Sequence, residues 1–216
     1  LEFSDGAATF KLEGLPTDAR YISVNVHPTT PVKEVREELL LIADCIYNYV
    51  DENYFDKNVP LILNLPYLPY GRADRKFEKG NPTPLRTFLE TLEDIAGFDE
   101  IHICDIHNKS SVLGFDLNII EKSQLECYKS SVPHDFITKY DIVLAPDKGS
   151  IEKAATISNY LDTPVYNCGK ERDMSTGKIV RSTLPEGVDF QGKTILIPDD
   201  LCDGGYTFIK LAEQLK

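Results

Sequence analysis

The segment 194–207, with the sequence TILIPDDLCDGGYT, joins an apolar run to three acids and two adjacent glycines. Ionised carboxylates only accept hydrogen bonds, so Asp199 and Asp200 suit the diol of a sugar such as ribose. Gly204 and Gly205 allow the backbone to bend so that several N–H groups converge, and a helix that starts just after them adds positive potential. The pattern predicts a cradle for a ribose phosphate. A plainer reading is an acidic turn whose third aspartate caps the last helix.

Four more polar segments follow apolar runs that have the composition of buried strands. Ligands bind at the carboxyl ends of the strands in open α/β sheets. We therefore expect all five segments to line one crevice. The four segments are PYLPYGRADRK after 59–65, CDIHN within and after 100–106, PDKGS after 141–145, and CGKER after 163–167.

Helix and strand signals alternate along the chain, which predicts an α/β fold with parallel sheets flanked by helices. Pro31 stands at a helix start, and Gly97 is placed where a helix stops. Ser150 is the expected N-cap of a third helix. The predicted helices cover 31–50, 84–97 and 150–161 and start again near Tyr206, and the predicted strands cover 59–65, 100–106, 141–145, 163–167 and 193–197.

The polar segment 121–140 is the expected boundary between two α/β units, which gives an N-terminal domain of 1–124 and a C-terminal domain of 125–216. The segment 168–192 is long, polar and rich in glycine, and it is predicted to form a mobile flap with a short hairpin. Because the sequence starts without a methionine and stops inside a predicted helix, we expect it to be a piece of a longer protein.

The composition argues against several classes of protein and partner. A net charge of -12 repels nucleic acid and anionic membranes, so neither is an expected partner. No apolar run reaches the roughly 18 residues that a membrane span needs. The five cysteines form no CxxC pair and no zinc-type cluster, so we expect a reducing, cytoplasmic location. No GxxxxGKS or GxxxxGKT segment occurs, which excludes a P-loop kinase.

The segment 199–207, DDLCDGGYT, resembles the ribose 5-phosphate loop of type I phosphoribosyltransferases and of ribose-phosphate pyrophosphokinases. Five further segments favour the second family, and their order and spacing hold from Phe3 to Thr207. The resemblance implies two phosphoribosyltransferase-like α/β units, each a mainly parallel sheet flanked by helices. FSDG (3–6) is similar to the family's adenine loop, YGRADRK (70–76) to its ATP-binding segment, DIH (105–107) to its aspartate-leucine-histidine, APDKG (145–149) to its serine-proline-aspartate segment, and KER (170–172) to its catalytic flexible loop.

The resemblance implies transfer of the β,γ-diphosphoryl group of ATP to the C1 hydroxyl of ribose 5-phosphate, giving phosphoribosyl pyrophosphate (PRPP) and AMP. It implies Mg²⁺ as the cofactor, with His107 and Asp147 at the metal, and it implies a homo-oligomer. Lys170, Arg172 and His107 would be the catalytic residues. The implied ATP-binding residues are Phe3, Asp5, Arg72, Asp74 and His107, and the implied ribose-phosphate-binding residues are Asp199, Asp200, Asp203, Gly204, Gly205 and Thr207.

Four positions depart from the family pattern. Ala7 and Ala73 stand where the family carries Glu and Gln, Gly204 replaces a Thr, and Tyr206 replaces a small residue. An aromatic ring beside the phosphate loop would suit a larger acceptor such as ADP-ribose, used in NAD salvage, by stacking on it. Two more functions stay open for this sequence, namely a non-catalytic regulatory homologue and a type I phosphoribosyltransferase that consumes PRPP.

Overall fold

The computed structural model describes residues 9–16, 18–53, 59–76, 78–133, 139–172, 179–202 and 204–216. The chain separates into two compact units, Leu1–Lys122 and Ser123–Lys216, here called the N-terminal and C-terminal units. Both contain parallel sheets flanked by helices, which confirms the predicted fold class.

The N-terminal unit is built on a sheet of four parallel strands in the order β1-β2-β3-β4. Helix α1 connects β1 to β2, and helix α2 with a π-helical turn connects β2 to β3, as expected for parallel neighbours. The elements are β1 Ile22–Asn25, α1 Val32–Asn53, β2 Leu61–Leu65, α2 Pro84–Thr91, the π-helical turn Leu92–Ala96, β3 Glu100–Cys104, a 3-10 turn Lys109–Val112 and β4 Ile119–Lys122.

One face of this sheet forms the larger core. Burial alternates along β2, so that Leu61, Leu63 and Leu65 are buried while Ile62 and Asn64 are not. The same alternation occurs in β3. Buried residues recur at every second position in the strands and at every third or fourth position in the helices. Because of that helical spacing, α1 and α2 each present an apolar stripe to the sheet. The buried residues of α1 are Val35, Leu39, Ala43, Ile46 and Val50, and those of α2 are Leu85, Phe88 and Leu89.

The helical part of the connection from α2 to β3 ends at Gly97, where the sequence predicts a helix stop. This residue has φ 61°, the left-handed conformation that ends many helices. The hydroxyl of Tyr47 in α1 donates a hydrogen bond to the Gly97 carbonyl. A Cβ at position 97 would lie 2.8 Å from that hydroxyl oxygen, so close packing and backbone conformation both require glycine here.

The C-terminal unit contains a second parallel sheet, with the order β6-β5-β9. All four residues of the central strand β5 are buried, as is typical of a parallel strand covered on both faces. The elements are α3 Gln124–Ser131, β5 Ile142–Ala145, a 3-10 turn Lys148–Ser150, α4 Ile151–Leu161, β6 Val165–Asn167, β7 Gly169–Arg172, β8 Ile179–Thr183, β9 Ile195–Leu196 and α5 Tyr206–Gln214.

Strands β7 and β8 pair in antiparallel fashion and form a separate two-stranded sheet. This pairing confirms the short hairpin that the composition of 168–192 predicts. The register shifts between Glu171 and Arg172.

Ser150 occupies the N-cap position of α4, as the sequence predicts, but its side chain makes no capping hydrogen bond to that helix. The Ser150 Oγ instead accepts from the Asp147 N–H at 3.2 Å, as one half of a capping box on the preceding 3-10 turn. Asp147 forms the other half, because its Oδ1 accepts from the backbone N–H groups of Gly149 at 2.9 Å and Ser150 at 3.2 Å. An aspartate three residues earlier is an equally good cap, and the extra turn moves the helix start toward it. The Ser150 hydroxyl donates back to the Asp147 carbonyl at 2.9 Å.

In the part of the chain that the structure describes, none of the helices has the length and apolar character needed to cross a bilayer.

Substitution of Gly97 tests the packing of Tyr47 in α1 against the turn that follows α2. We expect Gly97→Ala to lower the free energy of unfolding by about 2–4 kcal/mol, because it combines left-handed strain with a clash against Tyr47. In a Tyr47→Phe background the added cost should fall, because the clashing oxygen is gone. Urea unfolding of the four proteins measures this coupling.

The matched control is Gly192→Ala. Gly192 also has a positive φ, of 68°, but a Cβ placed there would lie in open space. The substitution should cost about 1–2 kcal/mol with or without Tyr47→Phe. Equal costs for Gly97→Ala in both backgrounds would contradict the proposed packing.

Candidate functional site

Two of the predicted site segments meet in the N-terminal unit. The segment 70–76 follows β2 and the segment 105–108 follows β3, and these strands are neighbours with Leu65 opposite Ile103. Because parallel neighbours end at the same edge of a sheet, both segments emerge side by side. This places Arg72, Asp74 and His107 in adjacent loops.

A direct hydrogen bond joins the two loops. Asn108 Nδ2 donates to Asp74 Oδ2 at 2.7 Å, and both side chains are half-buried. Close packing supports the same arrangement, since a Cβ placed on Gly71 would lie 3.9 Å from His107 Cβ. Arg72 and His107 are exposed beside this junction. A guanidinium and an imidazole on one sheet edge can bind phosphate oxygens.

In the C-terminal unit, three aspartates come together in the same way. Asp147 follows β5, while Asp199 and Asp200 follow β9, and β5 pairs directly with β9. The Asp200 backbone N–H donates to Asp199 Oδ1 at 2.9 Å. The three carboxylates, here called the acid cluster, therefore lie at one sheet edge, as the sequence predicts for this unit. The broader prediction that all five polar segments line one crevice stays a prediction.

The surroundings of Asp199 disfavour its charge. Burial, together with smaller contributions from the carboxylates of Asp200 and Asp147, raises the pKa of Asp199 from its ordinary 3.8 to about 6, and a hydrogen bond from the Asp200 N–H partly opposes this rise. Asp199 also lines a cavity of about 360 Å³ with largely apolar walls. The walls include Ile157, Leu196, Ile197, Pro198 and Phe208.

Lys153 is the cation that faces the acid cluster from α4. Its Nζ lies 3.9 Å from Asp200 Oδ2, and the side chains of Lys153 and Asp200 are 24% and 7% exposed. A charge as buried as that of Asp200 needs a compensating partner. The sequence does not single out Lys153, because one lysine in an amphipathic helix carries no signal that distinguishes it from a surface charge.

The strand that carries the KER segment starts beside the acid cluster. The backbone N–H of Cys168 donates to the Ala145 carbonyl at 2.9 Å, which extends the pairing between β5 and β6 to the residue before β7. Burial raises the pKa of the Cys168 thiol to about 11, with a further contribution from Asp147. Lys170 and Arg172 lie in β7, directly after this point.

The glycine pair precedes α5 as predicted. Gly205 has φ 71° and occupies the N-cap position, where a residue with a side chain would be strained. Among the described residues, none caps this helix start with a side chain. The backbone N–H groups of the first turn, which includes Thr207, are the type of donor that a phosphate accepts from.

Three predicted site residues lie outside the described residues: Phe3, Asp5 and Asp203. Across the described part of the chain, no three His, Cys, Asp or Glu side chains are grouped as a metal centre. Mg²⁺ bound to substrate phosphates needs only one or two carboxylates, so the oxygen donors of the acid cluster still fit that ion.

A second cavity, of about 210 Å³, lies at the carboxyl ends of the N-terminal sheet. Its walls include Asn25, Asn64, His102 and Lys122, and none of the predicted site residues lines it. His102 Nε2 lies 2.9 Å from Glu100 Oε2.

Comparison with known proteins adds relatives of named activity. The chain is 33% identical over 189 residues to the ribose-phosphate pyrophosphokinase of Pyrococcus furiosus, covering 86% of this chain and 62% of that protein. It is 30% identical over 222 residues to the ribose-phosphate pyrophosphokinase of Pyrococcus abyssi, covering 100% of this chain and 70% of that protein. The chain thus spans about two thirds of these relatives. No protein-family model matches it.

A solved structure supports the fold. The phosphoribosylpyrophosphate synthetase from Mycobacterium smegmatis matches with a TM-score of 0.70 at 22% identity, over 100% of this chain and 66% of that one. At that identity the match shows a shared fold.

Removing the charge of Asp199 should stabilise the protein at neutral pH. The folded protein holds a proton on Asp199 up to about pH 6, whereas the unfolded chain loses it near 3.8, so stability falls as pH rises between these values. We expect Asp199→Asn to raise the melting temperature by about 2–6 °C at pH 8, with no gain at pH 4. Calorimetric scans at both values measure this difference.

Glu186→Gln is the control, because it neutralises an exposed carboxylate of the same unit. It should change the melting temperature little at either pH. An Asp199→Asn protein that is less stable than the parent at pH 8 would contradict the assignment of repulsion and burial to this carboxylate.

Loss of the cation at position 153 should have the opposite effect. Lys153→Met removes the cation that approaches the buried Asp200 carboxylate, and we expect the free energy of unfolding at pH 8 to fall by about 1–3 kcal/mol. Lys148→Met is matched to it, since Lys148 is exposed and near in sequence. Equal denaturant midpoints for the two variants would show that Lys153 has no role in holding the acid cluster.

Proposed function

This chain belongs to the ribose-phosphate pyrophosphokinase family, and from that premise we propose that it is an ATP-dependent diphosphotransferase. Its proposed acceptor is the C1 hydroxyl of ribose 5-phosphate, and its proposed products are PRPP and AMP. The observation that carries the proposal is the acid cluster beside the N-terminus of α5, because that pairing suits one particular kind of ligand.

A ribose phosphate presents two hydroxyl groups and a phosphate, separated by a few bonds. Asp199 and Asp200 supply acceptors for the hydroxyls, and the N–H groups after Gly205 supply donors for the phosphate. A plain acidic turn would not explain why Asp199 is kept partly buried at a cost to its ionisation. Strained or destabilised groups of this kind concentrate at functional sites.

The proposed chemistry is an in-line displacement at the β-phosphorus of ATP. The C1 oxygen of the sugar forms a bond to this phosphorus, the bond to the α,β-bridging oxygen breaks, and AMP leaves while the hydroxyl proton is released. Most of the catalytic effect in such transfers comes from positioning and from cations around the phosphoryl oxygens. We assign that role to Lys170 and Arg172 in β7, and we assign phosphate binding to Arg72 and His107.

Mg²⁺ is the proposed cofactor. When bound, it neutralises phosphate oxygens, and hard cations of this kind prefer carboxylate oxygen ligands. Asp147 provides a carboxylate whose Oδ1 is already fixed by two backbone N–H groups. We propose that Asp147 contacts the ion directly and that His107 acts through water or on the phosphates.

The two substrates have different proposed residues in the chain. ATP is assigned to the loops after β2 and β3, the first of which contains Asp74. It is also assigned to the segment that contains Phe3 and Asp5. The sugar phosphate is assigned to Asp203, Gly204 and Thr207 together with the acids. A PRPP-consuming phosphoribosyltransferase would have no use for the joined loops 70–76 and 105–108, so they favour the diphosphotransferase.

We also propose that the protein acts in the cytoplasm as a homo-oligomer. All five cysteines lie in the described part of the chain, and none of them forms a disulfide, as suits a reducing compartment. Light scattering of the purified protein checks the assembly.

The function is tested by following AMP release from ATP and Mg²⁺ with a panel of acceptors. We expect ribose 5-phosphate to be turned over, and Lys170→Ala to lower kcat by about 10²–10³-fold because a cation at the transferred group is lost. The melting temperature of that variant should stay unchanged. Lys178→Ala is the matched control, a lysine of the same segment for which no role is proposed.

The acceptor panel also separates the competing functions. Turnover of ADP-ribose but not ribose 5-phosphate would replace the proposed substrate while keeping the chemistry. No AMP release with any acceptor would sink the enzymatic proposal and favour a regulatory homologue. Release of pyrophosphate from PRPP with a nucleobase would indicate a phosphoribosyltransferase.

A further inference from the structure

We propose that Asn108 is a positioning residue for the nucleotide, which acts by fixing the Asp74 carboxylate and locking the loop of Arg72 to the loop of His107. This inference rests on the proposed function, because it concerns the loops assigned to ATP. The resemblance to known enzymes gives Asn108 no role, and its assignment comes from the hydrogen bonds around its side chain.

The amide group of Asn108 has a defined orientation. Its Oδ1 accepts from the Ser110 N–H at 3.2 Å and from the Ser110 hydroxyl at 2.8 Å, while Nδ2 donates to Asp74 Oδ2 at 2.7 Å. Turning the amide over would place Oδ1 against a carboxylate and Nδ2 against a backbone N–H. Only one orientation satisfies both neighbours, so the donor is held toward Asp74.

Both loops contain a residue in an unfavourable backbone conformation. Tyr70 has φ 62° and Asp105 has φ 46°, and neither is glycine. Such residues persist only where the surrounding contacts hold them in place. The Asp105 N–H donates to the Lys122 carbonyl at 2.9 Å, and the Ala73 N–H donates to the Tyr70 carbonyl at 2.7 Å. Each loop is thus tied internally or to the sheet.

The bond from Asn108 to Asp74 links the two loops to each other. It is half-buried, while Arg72 and His107 next to it are exposed. The linking bond therefore lies beneath the side chains that face a ligand. A nucleotide that contacts both exposed side chains needs their separation to be fixed, and a charge-assisted hydrogen bond at the base of both loops does this.

A double-mutant cycle isolates the proposed bond. Asn108→Asp places a second carboxylate against Asp74, and it should lower kcat/KM for ATP about ten- to a hundredfold while KM for ribose 5-phosphate stays within about twofold. Combined with Asp74→Asn, the same substitution meets an amide again, so it should have almost no further effect. The measured quantity is the coupling, which is the difference between the effect of Asn108→Asp in the parent and its effect in the Asp74→Asn variant. It does not depend on how much activity Asp74→Asn loses alone.

Ser110→Ala is the control, because it removes one partner of Asn108 without touching the bond to Asp74. It should change kcat/KM for ATP less than about threefold. Melting temperatures are recorded for every variant. If Asn108→Asp does not fold, Asn108→Ser replaces it in the cycle, since it removes the donor without adding charge, and the same coupling with a smaller loss is expected.

Calorimetric binding of a non-hydrolysable ATP analogue with Mg²⁺ separates this inference from the proposed function. Coupling in analogue affinity supports the role of Asn108 even if no acceptor is turned over. If the parent protein is active and Asn108→Asp has the same effect in the parent as in the Asp74→Asn variant, the inference is overturned and the proposed function stands. A parent protein that does not bind the analogue overturns both.

Discussion

Partial burial of neighbouring carboxylates, which also repel one another, is the constraint around which the C-terminal unit is arranged. The pairing of β5 with β9 brings Asp147, Asp199 and Asp200 to one sheet edge, where burial and the neighbouring carboxylates disfavour the charge of Asp199. Two features offset the repulsion: Lys153 approaches Asp200, and the capping of the 3-10 turn fixes Asp147. The remaining unfavourable energy becomes useful if a cation and a sugar diol complete the site, because binding then relieves the repulsion.

The N-terminal unit positions its polar residues by a different means. Its loops after β2 and β3 carry exposed cationic or polar side chains above a half-buried hydrogen bond from Asn108 to Asp74. The sheet below is held by a large apolar core, with Leu63 and Leu89 fully buried. A rigid sheet edge with short, tied loops restricts the motion of side chains at their tips, which is what positioning of a phosphate chain requires. The proposed ligand of the C-terminal unit is thus positioned mainly by charge, and that of the N-terminal unit mainly by geometry.

Long periodic elements were predictable from the sequence, as were the short strands that precede the polar segments, whereas several other short elements were not. Helix α1 and strand β2 have apolar patterns that tertiary packing only reinforces. Strands β1 and β4 have four residues each, and their pairing depends on neighbours that are distant in sequence. Helix α3 was missed although Ser123 and Glu126 form a capping box, a signal visible in the sequence. The convergence of the acids was predictable because acidic segments follow strands, whereas only the folded arrangement shows what Lys153 and Asn108 face.

Proton release on ligand binding tests the account most directly. The parent protein is titrated with ribose 5-phosphate and Mg²⁺ at pH 6 and pH 8, in two buffers of different ionisation enthalpy at each pH. The substrate phosphate also titrates at a pH of about 6, so Asp199→Asn is titrated beside the parent. If the ligand needs an ionised Asp199 whose pKa lies at about 6, binding at pH 6 should release about half a proton more from the parent than from Asp199→Asn, and at pH 8 the two proteins should release equally little. Equal proton release from the parent and from Asp199→Asn at pH 6 would contradict a site built on a partly protonated Asp199.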